Sequence, residues 1–143
     1  MLPYMPVYRS TNKIFSKKYN KAPPPIVNLP YTSYEGIRLS NGVNAFLGMR
    51  YAAPPLGDLR WRAPVEPRRT DTVEKADQFG PICLRAGVSA PLPGQDEDCL
   101  FVNLWAPTNA TEKSKLPVWV FIGGGGRSIG SVPTSTYSED AFC

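Results

Sequence analysis

Apolar positions along this chain change period several times and nowhere hold a helical one for long. From Tyr34 they alternate, with Ile37 and Leu39, then Val43, Ala45 and Leu47, and Asn41-Gly42 stands between the two runs. Alternation is the period of a half-buried strand, and Asn-Gly supplies the positive φ of a tight turn, so the pattern predicts a β-hairpin. Leu100-Phe101-Val102-Asn103-Leu104-Trp105 predicts a further strand, closed by Ala106-Pro107. Val118-Trp119-Val120-Phe121-Ile122 is apolar without alternation, the pattern of a strand covered on both faces in the centre of an α/β sheet. It runs directly into Gly123-Gly124-Gly125-Gly126. Between the strands, Tyr51-Ala52-Ala53-Pro54-Pro55-Leu56-Gly57 must be irregular, because paired prolines remove amide donors and restrict the residue before them. The stretch from Arg60 to Gln95 is loop-rich, with Val73 to Phe79 offering a weak helical turn or two.

Composition narrows this picture. With 143 residues there is room for one domain, and 16 prolines with 12 glycines favour short strands and turns over long helices. Hydrophobic residues at 42% and charged residues at 20% are ordinary globular usage and exclude a disordered chain. The sequence contains 0 histidines, so it cannot by itself build a Ser-His-acid or Cys-His centre or a His-ligated zinc site. Nothing in it asks for a cofactor or a metal. The net charge of +4 is concentrated at one end, where Arg9, Lys13, Lys17, Lys18 and Lys21 precede any acidic residue. Residues 1–25 therefore read as a basic, Pro-rich leader ending in the stiff Ala22-Pro23-Pro24-Pro25 linker, with ordered structure expected over 26–143. No repeated aromatic and basic platform follows, so a nucleic-acid partner is not expected. Basic residues interrupt every candidate apolar core of a secretion signal, and no apolar stretch approaches the roughly 18 residues of a membrane span.

Three features could carry chemistry or modification. Four glycines after an apolar strand cost backbone entropy, and two readings account for them. One is a flexible loop; the other is a turn that aims successive N–H groups into a hollow able to hold an anion or a developing oxyanion. The spacing fits neither G-x-G-x-x-G nor a P-loop, since Ser128 stands at the last glycine position and no G-K-[ST] follows. Gly126-Arg127-Ser128-Ile129-Gly130 formally satisfies the nucleophile-elbow pattern, but Pro133 spoils the helix that must follow and no histidine is present to activate Ser128. Of the cysteines, Cys83 and Cys99 read either as a disulfide across a loop of turn formers or as two buried thiols, and Cys143 ends the chain. Asn109-Ala110-Thr111 matches the N-glycosylation acceptor pattern.

Several segments together resemble the type-B carboxylesterase and lipase family, the cholinesterase-like branch of the α/β-hydrolase fold. Phe46-Leu47-Gly48-Met49-Arg50-Tyr51-Ala52-Ala53-Pro54-Pro55-Leu56-Gly57 with Leu59-Arg60-Trp61 and Pro64 is similar to its N-terminal signature. Glu97-Asp98-Cys99-Leu100-Phe101-Val102-Asn103-Leu104-Trp105-Ala106-Pro107 is similar to its most diagnostic segment, and Leu116 to Gly126 resembles its oxyanion strand and loop. The resemblance implies the N-terminal portion of an α/β-hydrolase fold, truncated before the nucleophile elbow and built here mostly from short β-strands and loops. It also implies a carboxylic ester hydrolase acting by serine acyl transfer on small-molecule or lipid esters, with the triad lying beyond Cys143. The family's oxyanion donors fall on the backbone N–H groups of Gly125 and Gly126. Cys99 falls on a bridging cysteine with Cys83 as its candidate partner, and Glu97 falls on a buried partner for an arginine, here Arg60.

The chain departs from the family pattern at Arg50, where a proline is common, and at Gly123 and Arg127, which flank the glycine loop. No aromatic lies between Cys83 and Cys99, where the resemblance to cholinesterases implies an indole that stacks a quaternary ammonium, so a choline-specific substrate is not expected. An alternative of another class is a non-catalytic, cholinesterase-like interaction protein or an inactive gene fragment. The 143 residues alone are expected to be inactive. The cysteine pair and the Asn109 tripeptide favour the secretory route, which the leader does not support.

Overall fold

The computed structural model describes residues 22–84, 91 and 93–122. These form eight short strands: β1 (Ile26–Asn28), β2 (Ser33–Glu35), β3 (Ile37–Arg38), β4 (Val43–Arg50), β5 (Val73–Lys75), β6 (Ile82–Cys83), β7 (Gln95–Asp96) and β8 (Phe101–Pro107). The only helical element among the described residues is a 3₁₀ turn at Gly57–Leu59, after the Pro54-Pro55 stretch. Strands are ordered β1-β2-β5 in one sheet and β3-β4-β8 in a second, and β6 pairs with β7 in a third.

The expected hairpin is present. β3 and β4 are antiparallel with Ile37 opposite Ala45, and Leu39 N–H donates to Val43 O at 2.8 Å. Gly42 takes φ +83° at the turn, a value that suits glycine because a Cβ there would crowd the following carbonyl. The predicted strand from Leu100 to Trp105 is β8, antiparallel to β4 from Val43↔Pro107 to Arg50↔Phe101.

β4 is the strand around which the interior is built. Phe46 points into one buried cluster with Tyr34, Met49 and Ala76, while Ala45 and Leu47 join Ile37 in another, against Leu39, Phe79 and Trp105. Strict alternation would put Met49 on the face of Ala45 and Leu47. A β-bulge prevents this: the register shifts between Phe46↔Leu104 and Met49↔Val102, so that two residues of β4 oppose one of β8. Gly48 occupies the bulge at φ +71° and donates its N–H to Asn103 Oδ1 at 2.8 Å. A Cβ at that position would lie 2.5 Å from Gln78 O, so backbone passes where a side chain would stand. Trp105 Nε1 is buried without an acceptor among the described residues.

Two sequence expectations are corrected. Val73 to Phe79 forms no helical turn: Val73–Lys75 is β5, parallel to β2. The same segment then crosses to the second sheet, where Leu47 N–H donates to Ala76 O at 2.8 Å and Leu47 bridges Asp77. All three β5 side chains are exposed, so main-chain hydrogen bonds to a distant strand, rather than an apolar face, define this element. Val118 to Ile122 is not in a strand ladder, and Val118, Trp119 and Ile122 are 86%, 83% and 85% exposed. Its apolar pattern is that of a covered strand, but within it only Phe121, at 43%, is less than about three-quarters exposed.

Candidate functional site

Three consecutive residues, Glu97, Asp98 and Cys99, each tie the chain to a different part of the fold just before β8 begins. Cys99 is joined to Cys83 at the end of β6 by a disulfide. Closing a loop of about 15 residues stabilises by roughly 3 kcal/mol through the unfolded state. Glu97 Oε1 lies 2.6 Å from Arg60 Nε, just after the 3₁₀ turn. The two side chains are 49% and 34% exposed, so this pair sits at the surface of the described residues and not in an interior.

Asp98 makes the stronger contact. Its carboxylate receives both terminal nitrogens of Arg50, at 2.6 Å and 2.5 Å, a bidentate fork at the end of β4. The Arg50 guanidinium also lies 4.5 Å from the centre of the Phe101 ring. The hydrogen bonding of the guanidinium to Asp98 holds the Arg50 pKa above its ordinary value, outweighing the opposing effect of partial burial. The main chain of Arg50 is fixed as well. Its N–H donates to Tyr34 Oη at 3.2 Å, and its carbonyl accepts from Tyr31 Oη at 2.5 Å. Burial, followed by the influence of Tyr34, raises the Tyr31 pKa and keeps the phenol a donor.

Sequence reading noted Arg50 only as a departure from a common proline and missed Asp98, Tyr31 and Tyr34. The signal that could have found the first pair is chemical. An arginine in place of proline brings a charge to a half-buried strand end, and such a charge calls for a carboxylate. Its partner is 48 residues away in sequence, beyond the reach of any local pattern.

Beyond β8 the chain turns at Pro107, where Ala110 N–H donates to Pro107 O at 3.0 Å, and proceeds through Lys115 to Ile122 toward the glycine run. Gly125 and Gly126, with Gly123, Arg127, Ser128 and Cys143, lie outside the described residues. Among the described residues no group of three or more acidic, cysteine or histidine side chains is placed to hold a metal. No helix there is long and apolar enough to cross a membrane.

Comparison with known proteins adds the wider context. The model of the Carboxylesterase family matches residues 23–143. Fumonisin B1 esterase of Sphingopyxis macrogoltabida is 42% identical over 105 residues, covering 70% of this chain and 19% of the relative. Carboxylesterase 5A of Mus musculus is 41% identical over 100 residues, 62% of this chain and 17% of that protein. Among solved structures, Aspergillus niger EstA matches with a TM-score of 0.70 at 51% identity, over 74% of this chain and 20% of its own. The chain thus spans about a fifth of the length of the relatives it matches.

Proposed function

Because the chain belongs to the carboxylesterase family, and its strands and loops are the N-terminal portion of an α/β-hydrolase fold, we propose that it supplies the oxyanion loop of a carboxylic ester hydrolase. Residues 26–143 are the hydrolase portion and 1–25 a leader. The observation that carries this reading is the match of 23–143 to the family model, which takes in the glycine run.

In serine acyl transfer a hydroxyl attacks the ester carbonyl carbon while a histidine accepts its proton, and the carbonyl oxygen becomes an oxyanion in the tetrahedral intermediate. The N–H groups of Gly125 and Gly126 are assigned to donate to that oxygen. Glycine suits the task, since without a Cβ the peptide planes can turn two amides toward one point. Collapse of the intermediate expels the alcohol, which takes the proton back from the imidazolium, and water repeats the sequence on the acyl-enzyme. The histidine cannot come from these 143 residues, which contain 0 of that type.

A chimera tests the assignment: residues 23–143 replace the corresponding segment of Aspergillus niger EstA. The chimera is expected to hydrolyse a p-nitrophenyl ester, and the 143-residue chain alone is not. In the chimera, Gly126→Pro removes one amide donor and should lower kcat by about 10²–10³ with KM little changed. Turnover by the chain alone that Ser128→Ala abolishes, or a folded chimera without turnover, contradicts the reading.

A further inference from the structure

Asn109 belongs to no part of the ester-cleaving apparatus, yet its surroundings are those of a modification acceptor. Asn109-Ala110-Thr111 is the one Asn-x-Ser/Thr triplet in the sequence. It begins on the tight turn that follows β8. Thr108 N–H donates to Gly42 O at 2.9 Å, which pins the turn to the β3–β4 hairpin, and Ala110 N–H closes it on Pro107 O. Asn109 is thereby held exposed, and none of these bonds uses its side-chain amide. Thr111 opens a second turn, with Ser114 N–H donating to Thr111 O at 2.9 Å and Thr111 N–H donating to Ser114 Oγ at 2.9 Å. The Thr111 hydroxyl is exposed too, 3.1 Å from that same Ser114 oxygen. An enzyme approaching from solvent meets the amide and the hydroxyl together, with no strand to unpair.

The disulfide supplies the second, independent observation. A Cys83–Cys99 bridge is formed and kept in an oxidising compartment, and the secretory lumen, where asparagine-linked oligosaccharides are attached, is such a compartment. Placement is also permissive. The seven residues of β8 put roughly 20 Å, at about 3.3 Å per residue, between Cys99 and the Asn109 turn. A glycan there leaves the Glu97, Asp98 and Cys99 contacts uncovered.

We propose that Asn109 is an N-glycosylation site, loaded by oligosaccharide transfer from a polyprenyl-diphosphate-linked donor. A bond forms between Asn109 Nδ2 and the anomeric carbon of the donor. The carbon–oxygen bond to phosphate breaks, polyprenyl diphosphate leaves, and the amide proton passes to a base of the transferase. No oxidation state changes. The inference does not depend on the ester hydrolase reading.

The test translates the full 143-residue chain behind a cleavable secretion signal in the presence of eukaryotic microsomes. Lumenal chain, identified by signal cleavage, is expected to carry one oligosaccharide. Peptide N-glycosidase should remove it and leave aspartate at position 109 by mass spectrometry. Asn109→Gln and Thr111→Ala should each abolish the modification, and Thr111→Ser should retain it. Lumenal chain with unmodified Asn109 overturns the proposal, as does a glycan that survives Asn109→Gln.

Discussion

The two ion pairs beside the disulfide have the same charges and opposite expected worth, and a pair of double-mutant cycles separates them. Arg50 and Asp98 share two hydrogen bonds, with side chains 27% and 23% exposed. Unit charges about 4 Å apart attract by about 4 kcal/mol at an effective dielectric near 20, before desolvation is subtracted. Hydrogen bonds to charged groups retain about 1.5–3 kcal/mol net, so a coupling of about 2 kcal/mol is expected here. Arg60 and Glu97 share one contact and are 49% and 34% exposed, which puts their coupling at about 0–1 kcal/mol after solvent screening. The cycles are Arg50→Met with Asp98→Ala, and Arg60→Met with Glu97→Ala, in the EstA chimera. Native-state hydrogen exchange of the Tyr51 amide, which donates to Leu100 O between the two anchored segments, reads local opening without requiring the whole enzyme to unfold as one unit. The expected coupling for the first pair is roughly thirtyfold in protection, from about 1.4 kcal/mol per factor of ten. Equal couplings for the two pairs, or one below about 0.5 kcal/mol for Arg50 and Asp98, would show that the bidentate geometry adds nothing to the Arg50–Asp98 pair.

Gly48→Ala should cost more than about 3 kcal/mol, adding the left-handed backbone penalty of about 1–2 kcal/mol to a Cβ placed 2.5 Å from Gln78 O. Gly42→Ala, with φ +83° but open space around its Cβ, should cost only about 1 kcal/mol; similar losses of β4 amide protection at both sites would contradict the bulge argument. For Tyr31 the folded pKa lies above its unfolded value, so its contribution is intact below about pH 10 and is lost as pH climbs through the higher folded value. Tyr31→Phe should flatten that alkaline loss in a pH series of local protection, and an unchanged slope in the variant would assign the loss elsewhere.

What the sequence revealed divides by range. The β3–β4 hairpin was legible because Asn41-Gly42 and the flanking alternation are local, and β8 because the run from Leu100 to Trp105, apolar except at Asn103, closes at Ala106-Pro107. β5 was not, since Val73, Glu74 and Lys75 are all exposed and form a strand only through hydrogen bonding to β2 across 40 residues. Gly48 sets which face Met49 occupies, and the crossing Gln78 backbone that requires a glycine there is invisible in a local window. At the candidate site the family motifs located Glu97 and Cys99, while Arg50 and Asp98 needed coordinates to bring two distant segments together. Gly125 and Gly126 rest on the resemblance and the family match alone.

The most exposed apolar segment and the proposed oxyanion donors are adjacent in sequence, and this links stability to function. Val118, Trp119, Val120, Phe121 and Ile122 are 86%, 83%, 73%, 43% and 85% exposed. Burying side chains of this kind yields about 1.5–3 kcal/mol each, so the segment holds on the order of 5–10 kcal/mol of burial that the described residues do not use. Such a sum is comparable to the whole stability of an ordinary domain. On the proposed reading, whatever covers Val118 to Ile122 in the relatives, which are about four times as long, also fixes where the chain enters the glycine run. The aim of two amides at one oxygen then depends on packing that the Glu97–Cys99 anchors do not supply. Those anchors secure the entry to β8 and leave its far end, and the approach to the glycines, to the rest of the fold.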